Sequence, residues 1–528
     1  MTEARRPLPA PPGTDPALLT RLREDLAEAE FTADAVAAIL GEEASAALDD
    51  ELALPAIRAL TAAHEDEAQP LAALVLAFML GQEVSPEALG RAVPRVGIEG
   101  LVALGLVRST GADGDRVRAT VDLRPYESTD DEGSFRWWIA SDQGQAATGA
   151  ALHPDHVLGI GGATSTLIAI TPRTRVDSAL DLGCGCGIQA LHAARHASRV
   201  VATDVSERAL AFTRFNAALN APTLPAGARI ETRLGSMLEP VQTERFDLIV
   251  SNPPFVITPR VAGAETWTYR DGGAVGDDLV GALIGGVHEH LSEGGLAVML
   301  ANWEVTGEEW PAHVDRWLAT SPASAIVIER MSESPARYAS TWLRDGGVEP
   351  LDPRWEPMMG AWLDDFSSRG VNAIGFGHVL IQQPSAPTSH FRVREHIETT
   401  GAGPLGPRYA EMLSVLARLA HTSDEDLRRS RLARADDVVE RRHFVPGSED
   451  PMHIDVVQGG GFGRTLPVST HTAAILGVLD GQYPLQILLE AYASLLEAAG
   501  QGWEEAEADV LASLRTLLTW GFVRFAGD

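Results

Sequence analysis

The chain has 528 residues, with 42 basic side chains against 73 acidic ones and a formal net charge of −31. At roughly 100–200 residues per domain this length implies several domains, and 45% hydrophobic with 22% charged residues is the profile of a globular rather than a disordered chain. The acidity excludes a protein that coats nucleic acid by bulk charge, which needs a positive face, and leaves room only for a local basic patch.

Every basic residue is Arg. With the abundance of Ala, Gly and Pro this reads as nucleotide-composition bias, so an Arg alone says little about anion recognition. The two cysteines, Cys184 and Cys186, cannot build a disulfide framework or a four-cysteine zinc site. No stretch approaches the ~18 uninterrupted apolar residues of a membrane span, and MTEARRPLPAPPGTDP has prolines where a secretory signal has its apolar core. A cytoplasmic protein without a membrane partner is expected.

In chain order, the first fifteen or so residues are Pro-rich and are expected to form a loose tail. Helical spacing of Ala, Leu and Val predicts helices over Pro16–Ala29, Ala35–Ile39, Pro55–Ala63 and Leu71–Leu80. Ser85-Pro86-Glu87 opens another, with Ser as N-cap and Pro at the first helical position, and a further helix over Gly97–Leu104 ends at Gly105. Leu106-Val107-Arg108, an Asp113-Gly114 turn and the alternating run Arg116–Leu123 predict a β-hairpin. Short helices followed by a hairpin fit a winged-helix-like module or a helical cap with a hairpin, assigned to residues 1–128.

From about Phe135 to Gln383 strand-like runs alternate with helical stretches: Ser178–Leu182, Arg199–Thr203, Arg229–Leu234, Phe246–Ser251, Leu296–Ala301, Ala325–Glu329 and Ala373–Ile381. This predicts an α/β domain over 129–385, a parallel sheet with helices on both faces. About forty residues separate the last two runs and carry Tyr338, Trp342, Trp355, Met358, Met359 and Trp362. That insertion, 332–372, would form a partner or substrate surface, or pack as a small helical subdomain. SAPTSHF reads as a linker, and 386–528 as a mainly helical domain. Its ending, Leu511–Trp520 then Gly521-Phe522-Val523-Arg524-Phe525, echoes Leu101–Leu104 then Gly105-Leu106-Val107-Arg108. The Arg-dense stretch Arg428, Arg429, Arg431, Arg434, Arg441 and Arg442 is interleaved with acids and reads as a solvated helix face rather than a nucleic-acid site.

The strongest chemical signal starts at Asp181. Leu180-Asp181-Leu182-Gly183-Cys184-Gly185-Cys186-Gly187 follows an apolar strand and opens a helix over Ile188–His196. Alternate glycines let the backbone turn sharply and approach a ligand where a Cβ would collide. The dinucleotide spacing Gly-x-Gly-x-x-Gly is absent, and so is the Gly-Lys-Ser/Thr of a triphosphate loop. An acid before the glycines suits a cationic head, not a pyrophosphate. The next strand, Arg199–Thr203, ends at Asp204, about twenty residues on. A carboxylate there is placed to accept two ribose hydroxyls, or to cap the helix Ser206–Asn216.

An amino-acid head and a ribose together match S-adenosylmethionine. At this point the sequence resembles the class I methyltransferases, whose first motif is Asp-x-Gly-x-Gly-x-Gly. The resemblance implies a Rossmann-like seven-stranded sheet flanked here by helical, winged-helix-like domains. It implies cofactor contacts from Asp181, Gly183, Cys184, Gly185 and Gly187, with the cysteines as small fillers, from Asp204 and Val205, from Ser236 and Met237 after the third strand, and from Asn252. The glycine-rich Asp155–Thr164 stretch would close over the cofactor or form a plain loop. No metal is expected: His288 and His290 would not share a helix face.

A second signal concerns the reaction. Phe246–Ser251 is a buried strand, and Asn252-Pro253-Pro254-Phe255 follows its C-terminal end, the edge where open α/β sheets bind ligands. A planar amide or ring amine is a poor nucleophile because its lone pair is delocalised. Two acceptors on its N–H bonds, the Asn252 side-chain oxygen and the Pro253 carbonyl, would orient it for in-line attack. The paired prolines stiffen the turn, and Phe255 offers a flat stacking face. The tetrapeptide resembles that of the N-methylating branch of the class I enzymes. With Val256-Ile257-Thr258-Pro259, Trp267–Gly273 and Gly276-Asp277-Asp278 it looks like the release-factor glutamine methyltransferases over about 155–300. The implied function is methylation of a protein glutamine. A nucleobase amine methyltransferase acting on adenine N6 or guanine N2 of RNA or DNA is the alternative, and a catalytically silent cofactor-binding regulator the second.

Overall fold

The computed structural model describes residues 8–50, 52–62, 69–111, 114–149, 152–260, 273–307, 309–385, 390–498, 500 and 502–527. Asp113 of the anticipated turn, Trp267–Gly272 and the linker residues 386–389 lie outside them.

The centre is a sheet of eight strands, β1 (Val176–Leu182), β2 (Ala197–Asp204), β3 (Arg229–Leu234), β4 (Phe246–Ser251), β5 (Leu291–Val305), β6 (Ser324–Glu333), β7 (Ala373–Gln382) and β8 (Arg392–His396), in the spatial order β8-β6-β7-β5-β4-β1-β2-β3. Only β7 runs against its neighbours, β5 and β6; the other pairings are parallel. All seven anticipated runs are strands. The eighth is an addition: β8 lies beyond the 385/386 division and extends the sheet along β6, so the sheet crosses that division.

The helices around it are α1 (Gly162–Ile170), α2 (Ile188–Ala194), α3 (Glu207–Asn220), α4 (Asp278–Gly286), α5 (Trp310–Leu318) and, in the insertion, α6 (Pro335–Asp345) and α7 (Trp355–Ser368). The central strands are near-continuous apolar runs because both faces are covered. Leu180, Leu182 and Ile249 pack with Val280 and Leu283 of α4 and Val314 of α5. On the other face Ala179, Leu248 and Val250 share a core with Leu167 and with Tyr409, Met412 and Leu413 of the helix Gly406–Leu419.

The flanking regions are welded to this sheet. In the N-terminal one Ser85 caps its helix as anticipated, accepting the Ala88 N–H at 3.1 Å. The Leu71–Leu80 run is helical as anticipated, an α-helix over Pro70–Leu74 that widens into a π-helix over Val75–Met79. Val107–Thr110 and Arg116–Ala119 form the anticipated hairpin. The alternating run stops there, because Asp122 opens a second, longer hairpin, Asp122–Asp130 with Gly133–Ser141. That hairpin spans the 128/129 division and docks on α3. Asn216 accepts the Ala140 N–H and donates to its carbonyl, both at 2.8 Å, and Asn220 does the same for Trp138 at 2.9 Å. Two side-chain amides thus mimic a neighbouring strand.

The C-terminal region adds to its helices two three-stranded sheets, which helical spacing does not signal. The echoed ends are built alike: Leu106 N–H bonds Leu101 and Phe522 N–H bonds Leu517, each past a left-handed glycine, a Schellman closure. The Arg-dense stretch is not one helix face. It runs from the helix Asp424–Arg429 into the strands Arg431–Arg434 and Val438–His443. Arg428 pairs with Glu507 at 2.9 Å and Arg429 with Glu425 at 2.7 Å.

Candidate functional site

Register gathers the motifs. Leu182 of β1 stands opposite Thr203 of β2 and Ser251 of β4, and Asp204 stands opposite Leu234 of β3. Gly183, Asp204, Gly235 and Asn252 therefore leave four adjacent strands at one edge, where chain order reverses between β1 and β4. A cleft of about 460 Å³ opens there, with Asp181, Gly183, Cys184, Gly185, Asp204, Val205, Ser236, Met237 and the Asn252-Pro253-Pro254 backbone turn in its wall. The Asp155–Gly159 stretch and Thr164 also line it. Two anticipated residues stand back from the wall. Phe255 packs against the insertion, with its ring 6.4 Å from Trp342. Gly187 (φ 82°) begins α2, and a Cβ on it would sit 2.7 Å from the Thr213 methyl, so the loop needs glycine there for packing.

Asp181 is 1% exposed and accepts the Ala190 N–H at 2.8 Å. Burial, and secondarily the nearby Asp204, push its carboxyl up to about 7. Asp204 accepts from Gly185 N–H at 3.0 Å and Ser206 N–H at 2.9 Å, while burial raises its pKa as well. Ser206, not Asp204, caps α3 through the Ala209 N–H at 3.3 Å. Neither carboxylate has an ion pair among the described residues. A buried and a half-buried acid on one wall favour a guest carrying a cation and hydroxyl donors.

Two further polar atoms are buried without a hydrogen-bond partner among the described residues: Thr203 Oγ1 and Asn252 Oδ1. Unpaired buried acceptors and hydroxyls are costly, and in the wall of a cleft a bound guest can satisfy them. Met237 holds φ 48°, a left-handed conformation uncommon outside glycine, at the same wall. Both cysteine thiols are buried, and burial raises their pKa, to about 11 for Cys186, which keeps them neutral fillers. Sequence reasoning missed Gln189, Thr203 and Leu279 in the wall. Only Gln189, two residues past the glycine loop, carried a positional hint.

Residues 159–310 match the family described as the methyltransferase small domain, and residues 28–120 a domain of unknown function (DUF7059). A release factor glutamine methyltransferase of Geobacter sulfurreducens is 35% identical over 125 residues, 22% of this chain and 42% of that protein. A ribosomal protein uL3 glutamine methyltransferase of Bradyrhizobium diazoefficiens is 32% identical over 164 residues, 29% of this chain and 50% of that protein. A ribosomal RNA small subunit methyltransferase C of Escherichia coli is 32% identical over 143 residues, 27% of this chain and 35% of that protein. The chain spans half or less of the length of these relatives. Residues 159–310, which match the methyltransferase small domain, span β1 to β5 of the Rossmann-like sheet and the edge at which the cleft opens.

Proposed function

We propose that the chain transfers a methyl group from S-adenosylmethionine to a planar nitrogen of a macromolecule, a protein glutamine side chain in the first place. The observation that carries this reading is Asn252 Oδ1, buried without a partner among the described residues beside the buried Asp181 and the half-buried Asp204 at one sheet edge. The residues present fit the cofactor. Asp181 would face its ammonium, Asp204 its ribose hydroxyls, and Val205 and Met237 its adenine. Bound there, it supplies an electrophilic methyl on a sulfonium.

The chain's own part is placement. Asn252 Oδ1 and the Pro253 carbonyl accept the two N–H bonds of the acceptor amide, which turns the nitrogen lone pair toward the methyl and favours the pyramidal nitrogen of the transition state. The stiff Pro253-Pro254 turn holds both acceptors without reorganisation. No strong base is required, because the methylated nitrogen sheds its proton after transfer. A net charge of −31 suits a basic protein partner and opposes a polyanion. Two of the relatives named above are glutamine methyltransferases.

The ribosomal RNA methyltransferase among the relatives favours a second reading, a nucleobase amine. We place the protein in the cytoplasm; no described helix is long and apolar enough to cross a membrane. The test is incubation of the purified protein with methyl-labelled cofactor and extract of a strain lacking it. Label that survives nuclease and is lost to protease supports the glutamine reading; the reverse supports the nucleobase.

A further inference from the structure

The tetrapeptide Asn252–Phe255 belongs to no helix, so something must hold its acceptors still. Its entry is fixed by the neighbouring strand: Ser251 Oγ donates to the Leu182 carbonyl at 2.8 Å, tying the end of β4 to β1. Its exit is fixed from far away. The Ile257 N–H donates to Tyr338 Oη at 3.0 Å, and Asn302 Nδ2 donates to the same oxygen at 2.7 Å. Tyr338 stands on α6 of the insertion and Asn302 on β5, and both are fully buried.

The surroundings argue against a mere core tyrosine. Val256 and Ile257 sit in one apolar cluster with Tyr338, Leu343, Trp362 and Phe366. A phenylalanine would fill the same space there without bringing a hydroxyl into the core. Asn302 Oδ1 has no hydrogen-bond partner among the described residues, so the asparagine is a costly core residue retained alongside one useful contact. The polar cost falls where the chain leaves the tetrapeptide. Trp342, one helical turn on from Tyr338, stands edge-on to both rings, 6.0 Å from Tyr338 and 6.4 Å from Phe255.

We infer that Tyr338, braced by Asn302, is a positioning residue for methyl transfer: its hydroxyl clamps the backbone just past Asn252–Phe255 and so sets where the two acceptors stand. The inference rests on the catalytic reading of that tetrapeptide. It gives the insertion a task at the acceptor end of the cleft, one that leaves the cofactor end untouched.

The experiment compares Tyr338→Phe with Phe366→Leu, a packing change in the same cluster. Label transfer to extract is measured at varied cofactor concentration, cofactor affinity by calorimetry, and Ile257 amide exchange by mass spectrometry. Tyr338→Phe is expected to lower maximal transfer ~10–100-fold with the KM and Kd for S-adenosylmethionine unchanged. Exchange at Ile257 should quicken ~10-fold. Phe366→Leu should lower Tm at least as much while keeping maximal transfer within about twofold. Transfer by Tyr338→Phe within about twofold of wild type overturns the inference, as does a loss that Phe366→Leu matches at equal Tm. Asn252→Ala run alongside separates the two levels. If it transfers normally the catalytic reading itself falls; if it is inactive while Tyr338→Phe is not, only the clamp falls.

Discussion

The two ends of the cleft are built by different means. At the cofactor end each contact is local. Asp204 is held by Gly185 and Ser206, and Asp181 by Ala190, all within a stretch of 26 residues. At the acceptor end the turn after β4 is held by Tyr338 and Asn302, 81 and 50 positions from Ile257 and Asn252. On the proposed reading a compact motif serves the cofactor, whereas the acceptor end depends on the insertion and on β5. We propose that substrate choice resides in added parts; the C-terminal region shares a core with one face of the sheet, and the N-terminal region shares one with α1, α2 and α3.

The largest expected effect lies at the acceptor end. Asn252→Ala should cut transfer by ~100-fold or more, the scale of losing one preorganised transition-state contact, with cofactor affinity within a few-fold of wild type. Steady-state label transfer beside calorimetry checks it. Equal losses in both would merge the two ends into one.

At the cofactor end Asp204→Ala should weaken S-adenosylmethionine binding ~10–100-fold, the worth of hydrogen bonds to a charged group. Unchanged affinity would remove the ribose role. A smaller effect follows from Asp181. Its carboxyl titrates at about 7, and a bound ammonium requires the ionised form. Affinity should be level above pH 7 and fall below it by up to ~10-fold per unit. The sign for stability is opposite. A carboxyl raised from 3.8 to about 7 binds its proton more tightly in the folded chain, so its contribution is fullest below pH 4 and is lost as pH rises to 7. Calorimetric titrations and melts across that range test both signs.

Much of the cofactor end was legible because its signals are local. The glycine loop, Asp204 and Asn252 each follow an apolar run, and parallel register with right-handed crossovers brings such strand ends to one edge. Asp204 reads first as a ribose carboxylate, with a helix cap as the lesser alternative, and the cap falls to Ser206. The Arg392–His396 strand escaped notice because five half-exposed residues rich in Arg carry no apolar alternation. The docking of Asn216 and Asn220 on a hairpin 76 and 82 positions away has no local signature at all. The insertion was noted as aromatic, yet its contact with the tetrapeptide depends on which way α6 turns. Tyr338 became distinguishable from Trp342 and Trp362 only through the Ile257 N–H.

The most direct measurement is the identity of the methylated atom. Acceptor labelled in extract by the wild-type protein is digested and sequenced by tandem mass spectrometry. The account predicts the methyl on a planar nitrogen, the side-chain amide of a glutamine in a basic protein. A methyl on an oxygen, a sulfur, a carbon or a tetrahedral amine would contradict it.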